Sequence, residues 1–452
     1  MRMLNVSDNR RFLSKEDGSP FFYLGDTAWG LFQRLNREEA ERYLTVRSEQ
    51  RFTVVQAAIL AEDNGLSDPN AYGHVPLHRD ESGAYDPTRP KVNADGDDYW
   101  QHVDFVVQKA ADLGLVMGIV PTWGDKVVMG NPFAKGPEIF NRDNARAFGR
   151  YVGARYKNQP NIVWILGGDR NPYGKIDVWR ALAEGLREGD EGAHLITYHP
   201  EGLYSSSIWF HHDSWLDFHT HQSGHFARNQ DNYNMIAKDY ALYPPKPTFD
   251  IEPRYEGHSV NWNEKLGYFN DYDARQPAYW QLMSGACGHT YGHTSVWQFY
   301  DPEAGRESYS GASAHWQDAL NSPGAEQMRH LRALVDSHPF LQLAPDQALV
   351  VDPLAGADHI RAARGESYAY IYSATGQPFE VRMGLISGSA VRARWFDPRS
   401  GAWAAVTGVF ANGGLRRFEP PTSGIGEDWV LVLDDAAPSA GSVATSGEPD
   451  LG

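Results

Sequence analysis

The stretch Asn161-Ile162-Val163-Trp164-Ile165-Leu166-Gly167-Gly168-Asp169-Arg170 decides how the chain is read. Five apolar residues run without a polar break, the pattern of a strand buried on both faces. Two glycines end the run and a charged pair follows. A parallel strand of this kind needs helices over the sheet. Asn141–Tyr156 before it and Asp177–Arg187 after it read as those helices. Working outward, Phe21–Leu24, Phe52–Leu60, Leu115–Val120, His194–Tyr198, Leu216–His219, Pro247–Ile251 and Thr294–Phe299 are further strand candidates. Asp98–Leu113 is helical: Trp100, Val103, Val107, Ala110 and Leu113 recur at three- and four-residue steps, and Gly114 stops it. Asn36 with Glu39 has the form of a capping box, and Ala274–Ala286 is a further helix. Eight strands alternating with helices predict an α/β fold, a (β/α)8 TIM barrel. A doubly wound sheet is the alternative, weakened because no GxGxxG follows the first strand.

The pattern changes after Pro339. Gln347–Val351, His359–Ala362, Ser367–Tyr372, Phe379–Met383, Val391–Phe396 and Trp429–Leu433 are short strand candidates separated by turn signals. They predict a small C-terminal antiparallel β-sandwich. The expected organisation is a catalytic barrel over 1–340, the sandwich over 341–435, and a disordered Ser/Gly/Ala/Pro-rich tail over 436–452.

Composition bounds the partners. The 452 residues carry 41 Lys+Arg against 58 Asp+Glu, a net charge of −17. Such a surface repels phosphate backbones and anionic lipid, so neither nucleic acid nor membrane is an expected partner. One Cys rules out a disulfide framework, and buried Cys287 is expected to be inert. The start, MRMLNVSDNRRFL, lacks the apolar core of a secretory signal. A cytoplasmic protein is expected, or a periplasmic or secreted one if the start was trimmed. The 14 Trp, 23 Tyr and 20 Phe fill a core, line a sugar-binding cleft, or both.

Barrel active sites sit at the C-terminal ends of the strands. The first strand ends near Asp26 and Trp29, the second at Glu62 and Asp63, the third at Trp123 and Asp125. The fourth ends at Asp169 and Arg170, the fifth at Tyr198 and His199, and the sixth runs through His219, Thr220, His221 and Gln222. The seventh ends Asp250-Ile251-Glu252-Pro253-Arg254, and the eighth offers Trp297 and Gln298. Asp169 and Glu252 are the candidate catalytic pair. Glycosidic cleavage needs one carboxylic acid to protonate the leaving oxygen and one carboxylate to attack carbon or activate water. Strands four and seven lie roughly across a barrel mouth from each other. Arg170 and Arg254 each follow a carboxylate closely and can orient it or hold its proton off. Structural ion pairs Asp169–Arg170 and Glu252–Arg254 are the alternative.

His199, His219, His221 and His225 suit sugar hydroxyls, a metal, or the rim itself; the His219-Thr220-His221 spacing puts two imidazoles on one side of a strand. Asp250 shares a face with Glu252 and reads as an orienting residue. Trp29, Trp123 and Trp297 are candidates for stacking on sugar C–H faces, with core packing as the alternative. Tyr255 is placed to hydrogen-bond a nucleophilic carboxylate, or to be an ordinary core tyrosine.

Three strings together carry a resemblance: Phe22-Tyr23-Leu24-Gly25-Asp26-Thr27-Ala28-Trp29, Asn161 to Arg170, and Asp250-Ile251-Glu252-Pro253-Arg254-Tyr255-Glu256. In this order and spacing they resemble the apiosidase-like proteins, glycoside hydrolase family 140, through most of residues 5–340. The C-terminal segment resembles the sandwich that often follows this barrel and is labelled a collagen-binding domain. The resemblance implies a retaining exo-glycosidase that releases terminal apiose, a furanose, from plant oligosaccharides or glycosides. It implies Asp169 as acid/base and Glu252 as nucleophile, with no cofactor. Asp26, Trp29, Trp123, Arg170, His199, His219, His221, Gln222, Arg254, Tyr255 and Trp297 are the expected substrate-binding set. Two rivals remain: a metal-dependent barrel hydrolase using His219, His221 and Asp250, and a non-catalytic carbohydrate-binding protein.

Overall fold

The computed structural model describes residues 3–62, 64–94, 96–130 and 136–436. Asp63 and most of the expected tail, 437–452, lie outside the described residues. The chain forms two compact units, Met1–Pro345 with Pro398–Gly401, and Asp346–Asp397 with Ala402–Gly452.

In the first unit eight parallel strands alternate with helices. They are β1 (Tyr23–Thr27), β2 (Val54–Leu60), β3 (Val116–Thr122), β4 (Ile162–Leu166), β5 (Ile196–Tyr198), β6 (His219–His221), β7 (Thr248–Asp250) and β8 (Gly288–Tyr291). Six of them form one curled parallel sheet, a half-barrel in the order β5-β4-β3-β2-β1-β8, and β6 pairs with β7 in a second parallel sheet. Hydrogen bonds bridge the two seams: the Thr220 hydroxyl donates to the Tyr198 carbonyl at 2.5 Å and the Thr197 hydroxyl to the Phe218 carbonyl at 2.8 Å on one side, and the Cys287 amide to the Thr248 carbonyl at 2.9 Å on the other. Every residue of β2, β3 and β4 is buried, as a sheet covered on both faces requires.

The helices start where local chemistry dictates. Arg37–Glu49 begins with the Asn36–Glu39 capping box, in which each side chain satisfies the other's backbone amide. Asp98 caps Tyr99–Asp112, whose Trp100, Val103, Val107 and Ala110 are fully buried. A cap of this kind is worth about 1 kcal/mol.

Two strands differ from expectation. The eighth strand is Gly288–Tyr291, and Thr294–Trp297 is a turn of helix after it. Val296 and Phe299 gave that stretch its apolar look, and both are buried because the turn packs inward. The true strand has a polar-looking sequence whose His289 and Thr290 are fully buried. The sixth strand starts three residues later than expected, so His219 opens it and His221 ends it.

The second unit is antiparallel. Ile360–Arg364, Tyr368–Ser373, Trp429–Asp435, Ala390–Phe396 and Trp403–Ala411 pair in that order, and Phe379–Arg382 pairs with Leu415–Phe418. Ile371, Val381, Val391, Trp395 and Leu431 lie in its apolar core. Gln347–Leu349 is a 3-10 turn rather than a strand, and the two strands after Trp403 were not expected. Trp403–Ala411 is exposed along almost its whole length, so no polar–apolar alternation marks it as a strand. Among the described residues no helix is long and apolar enough to cross a membrane.

Candidate active site

The catalytic candidates are built by the loops that leave β4 and β7. Beyond Leu166 the backbone turns through three left-handed residues: Gly167 at φ +97°, Gly168 at +57° and Asp169 at +55°. A Cβ on Gly167 would lie 2.2 Å from the His199 carbonyl oxygen, and one on Gly168 2.9 Å from the Gly124 nitrogen. The two glycines therefore admit neighbouring backbone and swing Asp169 outward. Left-handed backbone costs a non-glycine residue about 1–2 kcal/mol. Asp169 recovers part of this through its amide, which lies 3.1 Å from His199 Nδ1.

The Asp169 carboxyl is 29% exposed, and Arg170 donates to its Oδ2 at 2.9 Å. Burial pushes its pKa up, Arg170 pulls it down, and the charge of Glu252 pushes it up again; the result is about 6. Arg170 is itself buried, and its other nitrogen reaches toward Glu62 at 3.6 Å.

Glu252 is treated differently. It is 7% exposed and held by two imidazoles. His199 Nε2 donates to Oε2 at 2.9 Å, and His225 Nε2 donates to Oε1 at 3.1 Å. Burial alone would raise this carboxyl, but the two hydrogen bonds and the imidazole charges outweigh it and hold the pKa far below the usual range. Burial works against a charge on His199, yet its bond to Glu252 and the two carboxylates raise its pKa. His199 Nδ1 also lies 3.0 Å from the Pro200 carbonyl. A neutral ring accepts the Asp169 amide there; a protonated ring donates to Pro200.

One carboxyl is thus kept near a neutral-range pKa and the other is kept ionised, and one histidine touches both residues. Pairs pushed apart in this way divide into an acid and a nucleophile or base.

The remaining expected residues fall into three groups. Trp29 and Trp123 are at the site: their rings meet edge to face at 5.0 Å, and lie 5.5 and 6.2 Å from His199. Both are almost fully buried, so their first role is to wall the imidazole. Tyr255 packs on His225 at 4.4 Å with its hydroxyl buried. Burial and the Glu252 charge keep that phenol protonated. Gln222 is buried next to these loops, its backbone amide donating to the Tyr204 carbonyl at 3.2 Å.

A second group serves the scaffold. Asp26 was expected to meet substrate. Instead it is fully buried, its Oδ2 2.5 Å from the Tyr43 hydroxyl and 2.6 Å from Arg47 Nε. Arg254 was expected beside Glu252. It turns to the helix Asp271–Leu282, donating to the Asp273 carbonyl at 2.9 Å and Gln276 at 3.0 Å. His219 uses its ring nitrogens on His211 at 3.0 Å and Ser206 at 3.3 Å. His221 is fully buried, 3.8 Å from Asp250 and 3.9 Å from Asp239. Asp250 accepts from the Ser223 hydroxyl at 2.6 Å and amide at 3.1 Å. Among the described residues no group of three or more His, Cys, Asp and Glu is arranged to hold a metal ion. Trp297 stands apart, half-buried and stacked on Tyr309 at 6.4 Å.

A third group was not foreseen in its role. His225, a metal or sugar candidate by sequence, clamps Glu252. His258 stacks on it at 4.5 Å, and burial together with the His225 charge lowers the His258 pKa to about 3. Trp262, 54% exposed and left-handed at φ +54°, stands edge-on to His258 at 5.5 Å. Asn171 and Glu201 join the loops after β4 and β5, with Nδ2 donating to Oε2 at 3.0 Å. No sequence signal marks these roles, because each residue acts from a loop whose path depends on the fold.

Comparison with known proteins gives the family. Residues 7–342 match the family described as "Apiosidase-like, catalytic domain", and residues 344–434 match "Putative collagen-binding domain of a collagenase". Curated proteins return no match. A solved structure described as "Glycoside hydrolase" is 36% identical with a TM-score of 0.89, over 97% of this chain and 98% of that one. A glycoside hydrolase family 5 structure from Bacteroides vulgatus ATCC 8482 is 32% identical with a TM-score of 0.88, over 99% of this chain and 96% of that one. A further glycoside hydrolase structure from the same organism, 16% identical with a TM-score of 0.67, shares the fold over 96% of this chain and 82% of that one. The chain belongs to the apiosidase-like family and is a glycosidase.

Proposed function

We propose that this glycosidase is a retaining exo-enzyme that releases a terminal furanose, apiose, from plant-derived oligosaccharides or glycosides. The observation that carries the mechanism is the contrast between Asp169, whose pKa is near 6, and Glu252, held ionised by His199 and His225. The sugar and the stereochemistry rest on the family resemblance. In this reading the six-stranded sheet and the β6–β7 pair are arcs of one (β/α)8 barrel, which sets the ends of β4 and β7 across a common mouth.

Asp169 then gives its proton to the glycosidic oxygen while a Glu252 oxygen attacks the anomeric carbon. The C–O bond breaks, the aglycone leaves as an alcohol, and Glu252 becomes a glycosyl ester. Asp169, now a carboxylate, takes a proton from water as the water oxygen attacks the same carbon. Free sugar leaves, Glu252 regains its charge, and Asp169 is again protonated. The glycosyl ester removes the charge that His199 and His225 were binding, so both clamps favour its breakdown.

The test is turnover of 4-nitrophenyl β-apioside by wild type, Glu252→Gln and Asp169→Asn. Wild-type rates in both variants would end the assignment. Retention is tested separately by following the first-formed anomer with proton NMR. It requires carboxyl groups about 5–5.5 Å apart, against about 6.5–9.5 Å for inversion.

A further inference from the structure

The general acid must touch the oxygen of the departing group, so whatever departs leaves past Asp169. The surface beside Asp169 therefore selects the aglycone. That surface consists of the loop from Asp169 to Tyr173 and the segment from Glu201 to Phe210. The two are tied together: the Tyr198 hydroxyl donates to the Arg170 carbonyl at 2.6 Å, and the Glu201 amide donates to Asn171 Oδ1 at 3.2 Å. The second segment is pinned in turn, with the Leu203 amide donating to the Gln222 carbonyl at 2.7 Å.

On this braced ledge large apolar side chains face water. Tyr173 is 57% exposed, Leu203 48%, Tyr204 37% and Ile208 60%. Half-buried Trp209 supports both tyrosines, with ring centres 5.9 Å from Tyr173 and 5.7 Å from Tyr204. Leu203 holds a left-handed φ of +69° in which a branched side chain is strained. Exposed apolar side chains scattered singly need no explanation, but two tyrosines braced on one tryptophan, with exposed Leu203 and Ile208 on the same short segment as Tyr204, do. Of the polar side chains beside it, Asn171 Nδ2 is matched with Glu201 Oε2 at 3.0 Å. A sugar ring laid on Leu203 and Ile208 would lose hydrogen bonds to water without regaining them. A flat apolar ring would not.

We infer that Tyr173, Leu203, Tyr204 and Ile208 form an aglycone subsite for an apolar, ring-bearing alcohol, such as an aryl leaving group, rather than for a second sugar. This rests on the glycosidase reading with Asp169 as acid and narrows its substrate to small glycosides of apolar alcohols.

The experiment compares kcat/KM for 4-methylumbelliferyl β-apioside and methyl β-apioside in wild type, Tyr173→Ala and Ile208→Ser. Both side chains are more than half exposed, so folding is not at stake. The aryl-to-methyl ratio is expected to fall about tenfold in Tyr173→Ala and about threefold in Ile208→Ser. An unchanged ratio in both would overturn the subsite while leaving the glycosidase reading intact. Calorimetric titration with free 4-methylumbelliferone separates the two claims. If wild type hydrolyses neither glycoside but binds umbelliferone, and Tyr173→Ala weakens that binding, the apolar ledge stands and the apiosidase reading fails. Absent hydrolysis together with binding indifferent to both substitutions overturns the subsite as well.

Discussion

Asp169 and Glu252 leave neighbouring parts of one parallel architecture, yet the chain treats them in opposite ways. Asp169 sits on a left-handed turn after the six-stranded sheet, partly open to water, with one guanidinium at 2.9 Å. Glu252 sits almost closed off, each oxygen on its own imidazole. Burial raises both carboxyls; what differs is the number of cationic donors set against it. The comparison teaches that role follows from hydrogen-bond partners rather than from depth, because the more buried of the two is the one kept charged.

The comparison breaks most visibly at Glu252. Glu252→Gln removes the nucleophile, and kcat is expected to fall roughly 10^4-fold or more on every substrate, measured by aglycone release. Asp169→Asn should depend on the leaving group: roughly 10^3-fold on a methyl glycoside, which needs the proton, and far less in the first turnover on a nitrophenyl glycoside, which does not. Equal losses on both substrates would deny Asp169 the role of acid.

His225→Ala sharpens the other side. With one donor gone, Glu252 should protonate more readily. The acid limb of kcat/KM should move up in pH, with a loss of about 10^2-fold at the optimum. In wild type that limb lies well below the ordinary carboxylate range. The alkaline limb should fall off near pH 6, where Asp169 loses its proton. A variant that loses rate without moving the acid limb would make His225 a packing residue only.

The smallest expected effect is on stability. Asp169 has its pKa raised on folding, so the folded state binds its proton more tightly than the unfolded state does. Wild type is therefore penalised as pH rises from about 4, the unfolded value, through 6. Asp169→Asn removes that penalty, and its Tm advantage should be absent near pH 3.5 and full at pH 7. Solvent and Arg170 reduce its size to about 1 kcal/mol. A pH-independent difference would contradict the shifted carboxyl.

Both carboxylates were legible in the sequence because each closely follows a strand, Asp169 the unbroken apolar run Ile162–Leu166 and Glu252 the shorter, partly polar Thr248–Asp250. The Gly167-Gly168 pair also announced a close backbone approach, which His199 and Gly124 supply. The partners were less legible. Asp26 looks like a rim residue by its place at a strand end, yet Arg47 from the following helix claims it, and helix-to-strand pairing carries no local mark. His225 looks like one histidine among several, and only the loop after β6 turns it onto Glu252. The eighth strand was misplaced because burial of His289 and Thr290 is set by the sheet around them, not by their own polarity.

The central claim is that Glu252 attacks carbon while Asp169 handles protons. Asp169→Asn mixed with 4-nitrophenyl β-apioside tests it in one measurement. The nitrophenolate needs no acid to leave, but water has no base to activate it, so the covalent intermediate should accumulate. Mass spectrometry of the digested protein should find one anhydro-sugar added, on the peptide that contains Glu252. An adduct on another residue, or an unmodified protein after the nitrophenol burst, would contradict the account.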